Sequence, residues 1–98
     1  MKVVDLRKEP YDIYIGRENF FYQLPESKWH SPFPLEAFHN ERDLVLSLYE
    51  KYIRNGPLWD DLEELDGKIL GCWCGNLPCH GDILLKLLNE KKLDAIFP

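Results

Sequence analysis

The sequence predicts an α/β fold: a small domain in two or three layers, with a short, partly parallel sheet of about three strands and three helices. Three observations carry this. Short β-branched or alternating segments stand at both ends of the chain, amphipathic helical stretches separate them, and the last strand leads into a final helix. Strands separated by helices favour a layered arrangement with at least one parallel pair. A chain of 98 residues suits a single domain over 1–98, large enough to bury a core but with little stability to spare.

The elements follow in order. "KVVDL" is short and β-branched and reads as a strand. In "YDIYIG", Tyr11, Ile13 and Ile15 alternate with Asp12, Tyr14 and Gly16, so a second strand with one apolar face is expected. Residues 18–39 carry Pro25, Pro32 and Pro34 and read as an irregular loop. A loop of this length is commonly a binding loop or lid, although its aromatics (Phe20, Phe21, Tyr22, Trp29, Phe33, Phe38) also suit capping of the core. A helix is expected after Asn40 as N-cap, with Leu44, Val45, Leu48, Tyr49 and Tyr52 on its apolar face. Gly56 is expected as its left-handed stop. Pro57 then opens a short second helix with Leu58, Leu62 and Leu65 on one side, ended by Gly67. "KILGCWC" reads as a buried strand, and "PCHGDILLKLLNEKK" as the closing helix, with Ile83, Leu84, Leu87 and Leu88 inward. Asp82 and Lys86 stand one turn apart in the orientation of a favourable ion pair. "LDAIFP" reads as a short extended tail.

Composition narrows the function classes. The formal net charge of −5 argues against non-specific nucleic-acid binding, which needs a Lys/Arg surface to displace counterions. A pocket for a small anion remains open, since one or two arginines suffice. No stretch approaches the roughly 20 apolar residues of a membrane span. "MKVVDLRKEP" is too charged for a signal peptide, so a cytoplasmic location is expected. In a reducing compartment, clustered cysteines more often bind metal or do chemistry than form disulfides.

All three cysteines lie in "GCWCGNLPCHGD", residues 71–82. Zinc takes four Cys/His ligands, and Cys72, Cys74, Cys79 and His80 offer that number. The C-x-C-x4-C-H spacing, however, lacks the usual C-x2-4-C knuckle. A reactive thiol is the competing reading. Cys79 stands at the start of the last helix, where the dipole and free N–H groups depress a thiol pKa, and His80 and Asp82 are residue types that activate and orient a nucleophile. Catalytic roles for Cys79, His80 and Asp82 are therefore one expectation. The same free N–H groups suit a phosphate or carboxylate. The plain alternative is that Cys72 and Cys74 pack as small apolar residues.

Arginines supply the second candidate set. Arg17 ends the "YIGR" strand, where Gly16 permits close approach and a guanidinium can hold an anion bidentately; a surface salt bridge is the commoner fate of an arginine. Arg42 stands in the first helical turn, where a cation opposes the helix dipole, so an anionic partner is worth considering; Asp43 alone could supply it. His30 and His39 read as structural or surface residues rather than ligands.

With "YDIYIGR" (11–17), "SPF" (31–33), Arg42 with "YEKYI" (49–53) and "LDGKILGCWCGNLPCHGDIL" (65–84), the chain resembles domain of unknown function family 4326. These are small uncharacterised domains common in bacteria, archaea and their viruses. The family pattern has Asn before Pro-Phe where this chain has Ser31, and its Gly-rich stretch before that motif is replaced by aromatic and charged residues. The resemblance implies one shared site and carries no activity with it. The resulting expectation is a pocket for a small anionic, nucleotide-like ligand, with Gly16, Arg17, Ser31 and Arg42 converging on the "PCHGD" turn at the carboxyl ends of the strands. The alternatives are a zinc-stabilised interaction module and a fold whose cysteines only pack.

Overall fold

A computed structural model of the chain describes residues 2–75 and 77–96. In chain order it contains β1 (Lys2–Asp5), β2 (Ile13–Tyr14), a 3-10 turn at Leu35–Phe38, α1 (Arg42–Arg54), a 3-10 helix at Pro57–Leu65, β3 (Ile69–Cys72) and α2 (His80–Ile96). Strand β3 is central, in the order β1-β3-β2, and both pairings are parallel, so the described sheet is parallel throughout rather than in part.

Period-two alternation sorts the strand residues onto two faces. Val3, Ile13 and Leu70 share one register position, and with Ile15 and Cys72 they belong to the face on which the helices pack. There α1 contributes Tyr49 and Ile53, the 3-10 helix Leu62 and Leu65, and α2 Leu84, Leu87 and Leu88, all buried. The stretch 6–12 returns the chain from the end of β1 to the start of β2 and lays the Tyr11 ring over Gly71 on the opposite face. Asp12 secures the start of β3: its N–H donates to the Ile69 carbonyl and its carboxylate accepts the Ile69 N–H, each at 2.8 Å.

Helix α1 differs from expectation at both ends. His39 and Asn40 both take left-handed backbone (φ 57 each), so Asn40 serves the turn and Glu41 precedes the helix without a side-chain cap. Asn tolerates that conformation through local polar contacts, which is why the same residue type suits both roles. At the other end Gly56 has φ −114 and is not a left-handed stop. The N–H groups of Asn55 and Gly56 bond to the Lys51 and Ile53 carbonyls instead. The buried stripe is Val45, Tyr49 and Ile53, with Leu44 and Tyr52 nearer solvent. Pro57 does open a 3-10 helix that buries Leu62 and Leu65, and Gly67 follows it with φ 75.

Two readings near the C-terminus change. Asp82 does not pair with Lys86; its carboxylate caps the start of α2, and Lys86 donates to Glu50 at 2.8 Å. The expected extended tail is helical as far as Ile96, because α2 continues through Leu93; Phe97 and Pro98 lie outside the described residues. In the 18–39 loop the aromatics divide. Trp29 is core at 2 % exposure, and Phe20 and Phe21 stand out at 85 % and 88 %, at the tip of an Asn19–Leu24 bridge. Among the described residues no helix is long and apolar enough to cross a membrane.

The first turn of α2 meets the sheet at Gly81. A Cβ there would stand 2.8 Å from Val3 Cγ2 and 2.9 Å from Ile15 Cδ1. Alanine is the better helix former by about 1 kcal/mol, but overpacking a well-filled core costs about 1–3 kcal/mol. Gly81→Ala is therefore expected to lower stability in a denaturant titration. A midpoint equal to or above that of the parent chain would contradict the close approach.

Candidate functional site

Strand β3 ends at Cys72 and the chain passes through Trp73, Cys74 and a left-handed Gly75 (φ 62) before turning back into α2. Cys79 takes the position before the helix. The Gly81 N–H donates to Cys79 Sγ at 3.4 Å, and the Asp82 carboxylate accepts the Cys79 N–H at 3.0 Å. This is a reciprocal cap with a thiol in the place usually held by a hydroxyl. It answers what Asp82 does: it fixes the helix start and does not touch the imidazole. Cys79 and Asp82 border a cavity of about 270 Å³ with Val3 and Pro78, separate from the one described below.

The turn folds three sulfurs together. The Sγ atoms of Cys72, Cys74 and Cys79 all lie within 4.8 Å of one another, and Cys72 and Cys79 are 3.2 Å apart. That is close enough to hold a metal ion. His80, expected as a fourth ligand, stands outside this group. Its Nδ1 contacts Cys79 Sγ at 3.5 Å and its Nε2 lies 2.6 Å from the Ile15 carbonyl. Burial holds the imidazole pKa below its usual value, favouring the neutral ring. A neutral ring that donates from Nε2 to Ile15 leaves an Nδ1 lone pair facing Cys79. The edge of Tyr49 packs against the ring at a centroid distance of 5.1 Å.

The electrostatics of the cluster also depart from the sequence expectation, which places the low-pKa thiol at Cys79. Cys79 is only 2 % exposed, and hydrogen bonding to Cys72 and Cys74 together with burial pushes its thiol up. Three thiols this close share a single negative charge more readily than two. The charge settles on Cys74, which is lowered by hydrogen bonds from Cys72 and Cys79 and by Arg42, whose Nη1 lies 3.9 Å from Cys74 Sγ. The helix terminus favours an anion at this turn, and burial moves it onto the more accessible sulfur.

Beside the sulfurs opens a cavity of about 230 Å³. Its walls join segments far apart in sequence: Gly16 and Arg17, Ser31 and Phe33, Arg42, and Cys72, Trp73, Cys74 and His80. Arg17 donates from Nε and Nη2 to the Ser31 carbonyl at 3.2 and 3.1 Å. Arg42 donates to the Pro78 carbonyl at 2.8 Å, tying α1 to the turn before α2. Among the described residues neither guanidinium forms an ion pair with a carboxylate. Gly16 is required by the Tyr14 ring, since a Cβ would stand 2.6 Å from Tyr14 Cζ. The Tyr14 hydroxyl donates to the Arg17 carbonyl and accepts from Trp73 Nε1 at 2.8 Å, so it holds both neighbours of the cavity in place.

Sequence reasoning missed Tyr14 and Trp73. Alternation puts both on the face away from the helices, and their shared hydrogen bond joins residues distant in sequence. The one available signal is that Trp73 stands between Cys72 and Cys74. Phe33 is the loop aromatic that lines the cavity, and Tyr22 packs on Trp73 with ring centroids 5.0 Å apart.

The family model described as domain of unknown function (DUF4326) matches residues 2–90, and the chain belongs to that family. It is similar to the uncharacterized protein R718 of Acanthamoeba polyphaga mimivirus, with 36 % identity over 86 residues. That match covers 78 % of this chain and 65 % of the relative, so it spans just under two thirds of the viral protein. It is also similar to an uncharacterized 12.4 kDa protein from the nrdA-td intergenic region of Enterobacteria phage T4. There the identity is 31 % over 94 residues, covering 91 % of this chain and 78 % of the relative. No solved structure matches the chain.

The charge placement predicts an order of reactivity. In metal-free protein, a neutral alkylating reagent should modify Cys74 first, as located by peptide fragmentation. Because the Cys74 thiolate persists below the usual thiol range, its rate should fall less from pH 8 to pH 6 than that of a model thiol. Modification led by Cys79 would contradict this assignment.

Proposed function

We propose that this member of the DUF4326 family binds a small anionic ligand in the cavity between Arg17, Arg42 and the Cys72–His80 turn. The observation that carries the reading is the convergence of two guanidiniums, neither in an ion pair among the described residues, on one concave site. Each guanidinium has five N–H donors in a planar fork suited to carboxylate or phosphate, and the backbone bonds to Ser31 and Pro78 use only some of them. Those bonds aim the side chains without neutralising them. Trp73 and Phe33 add aromatic walls, so an anion with a planar or apolar body, such as a nucleotide or a nucleotide-derived molecule, is the class that suits the site. Ser31 lies where Arg17 anchors, and Gly16 keeps the backbone there uncluttered.

Removing one charged hydrogen-bond donor costs about 1.5–3 kcal/mol, which corresponds to roughly 10- to 150-fold in affinity. Arg17→Ala and Arg42→Ala should each weaken binding by that order across a panel of inorganic phosphate and nucleoside monophosphates, read by calorimetry with folding checked by circular dichroism. The reading fails if no member of the panel binds, or if both variants bind as the parent chain does.

A second reading rests on the three sulfurs. A zinc ion on Cys72, Cys74 and Cys79 would fasten the end of β3 to the start of α2, and the chain would act as a metal-stabilised interaction module with the exposed Phe20–Tyr22 tip as its contact. Elemental analysis of protein purified without chelators should then find one zinc per chain, and chelation should lower the melting temperature. Metal-free protein with unchanged melting would remove this reading and leave the anion site standing.

A further inference from the structure

The sulfur cluster and the cavity share two walls, since Cys72 and Cys74 line the cavity that Arg17 and Arg42 also line. A tetrahedral zinc with Zn–S bonds of about 2.3 Å separates its sulfurs by about 3.8 Å. The three sulfurs here lie within 4.8 Å of one another, with the shortest separation 3.2 Å, so small side-chain rotations bring them to that spacing. Thiolates of this kind select zinc or another soft ion over calcium or magnesium.

The three-sulfur group supplies three donors and leaves the fourth coordination position unassigned. The chain holds three cysteines in all. His80 Nδ1 lies 3.5 Å from Cys79 Sγ, but the imidazole does not come within 4.8 Å of all three sulfurs, its ring being fixed by the Ile15 carbonyl at Nε2 and by Tyr49. Asp82 is engaged with the Cys79 amide. Structural zinc sites are closed by four protein ligands, whereas sites that meet a substrate keep one position open.

Three thiolates around a dication leave one net negative charge. Arg42, 3.9 Å from Cys74 Sγ, and Arg17 across the cavity outweigh it, and Glu36, which lines the same cavity, returns the sum to zero.

We propose that Cys72, Cys74 and Cys79 hold one zinc-class ion whose fourth position opens to the cavity, and that the anionic ligand binds this metal directly through a carboxylate or phosphate oxygen while Arg17 and Arg42 hold the remainder. The inference rests on the anion-binding reading and adds the atom to which the anion is bound.

Cobalt(II) is the probe, because its ligand-field bands report both the donor set and its changes. Metal-free full-length protein titrated with cobalt should take up one ion per chain, with thiolate-to-metal charge-transfer bands. Cys72→Ser, Cys74→Ser and Cys79→Ser should each lose at least tenfold in cobalt affinity. His80→Gln, whose amide can still donate to the Ile15 carbonyl, should keep the stoichiometry and the bands. Adding inorganic phosphate should shift the ligand-field bands, and Arg42→Ala should need at least tenfold more phosphate for the same shift. Loss of cobalt binding in a folded His80→Gln protein would overturn the open position. Bands that stay fixed while calorimetry shows phosphate bound would overturn direct coordination and leave the anion site intact. Cobalt binding with no phosphate binding would overturn both the anion site and its attachment to the metal.

Discussion

The closeness with which the first turn of α2 lies against the sheet sets the geometry of the whole site. Gly81 permits it: any side chain there would meet Val3 and Ile15 at under 3 Å. With the turn held at this distance, Cys79 comes within 3.2 Å of Cys72 and His80 reaches the Ile15 carbonyl. A shift of about an ångström at this contact is enough to open a sulfur cluster or misalign a bound group. The helix start, the last residue of β3 and the extension of β2 therefore form one rigid corner. Its stiffness comes from Leu70, Leu84, Leu87 and Tyr49, all fully buried.

Around that corner the chain arranges its polar groups in two tiers. Tyr14, the Ser31 and Pro78 carbonyls and Asp82 position other residues. Arg17, Arg42, Cys74 and His80 face the cavity or its edge. Backbone carbonyls are well suited to the first task, because they orient a guanidinium while leaving its charge to be met by something else. By contrast, the basic residues away from the cavity mostly pair with carboxylates, as Arg54 does with Glu50 and Glu90 and Lys28 with Asp61 and Glu64. Those pairs lie near the surface, where solvent screening leaves each of them little net contribution. The cavity sets two arginines against one carboxylate, Glu36, in a chain whose net charge is −5.

Much of the fold is legible in the sequence, and the reasons are local. Period-two alternation marks β2, short β-branched or apolar runs mark β1 and β3, 3.6-residue spacing marks α1 and α2, and Pro57 marks the start of the 3-10 helix, each dictated by neighbouring residues. Boundaries are less legible where one residue type serves two purposes. Asn40 suits an N-cap and also a left-handed turn, and the chain uses it for the turn. Asp82 suits an ion pair with Lys86 and also a helix cap, and an amide N–H at 3.0 Å takes it. Of the site, the participants Gly16, Arg17, Ser31, Arg42, Cys72, Cys74 and His80 are named by motif and do meet at one cavity. The roles of Tyr14 and Trp73 are not, because a hydrogen bond between residues 59 positions apart leaves no trace in local spacing.

By itself, the sequence determined the elements, the parallel pairing that helices between strands require, and the small set of chemically capable residues. Tertiary structure alone decided which sulfur carries the charge, that His80 turns to a backbone carbonyl and stands outside the three-sulfur group, and that Cys79 and Asp82 border a different surface from the arginines. The physical reason is distance. Propensity and periodicity act over a few residues, whereas burial, hydrogen bonding and charge sharing depend on atoms that only the folded chain brings within a few ångströms of one another.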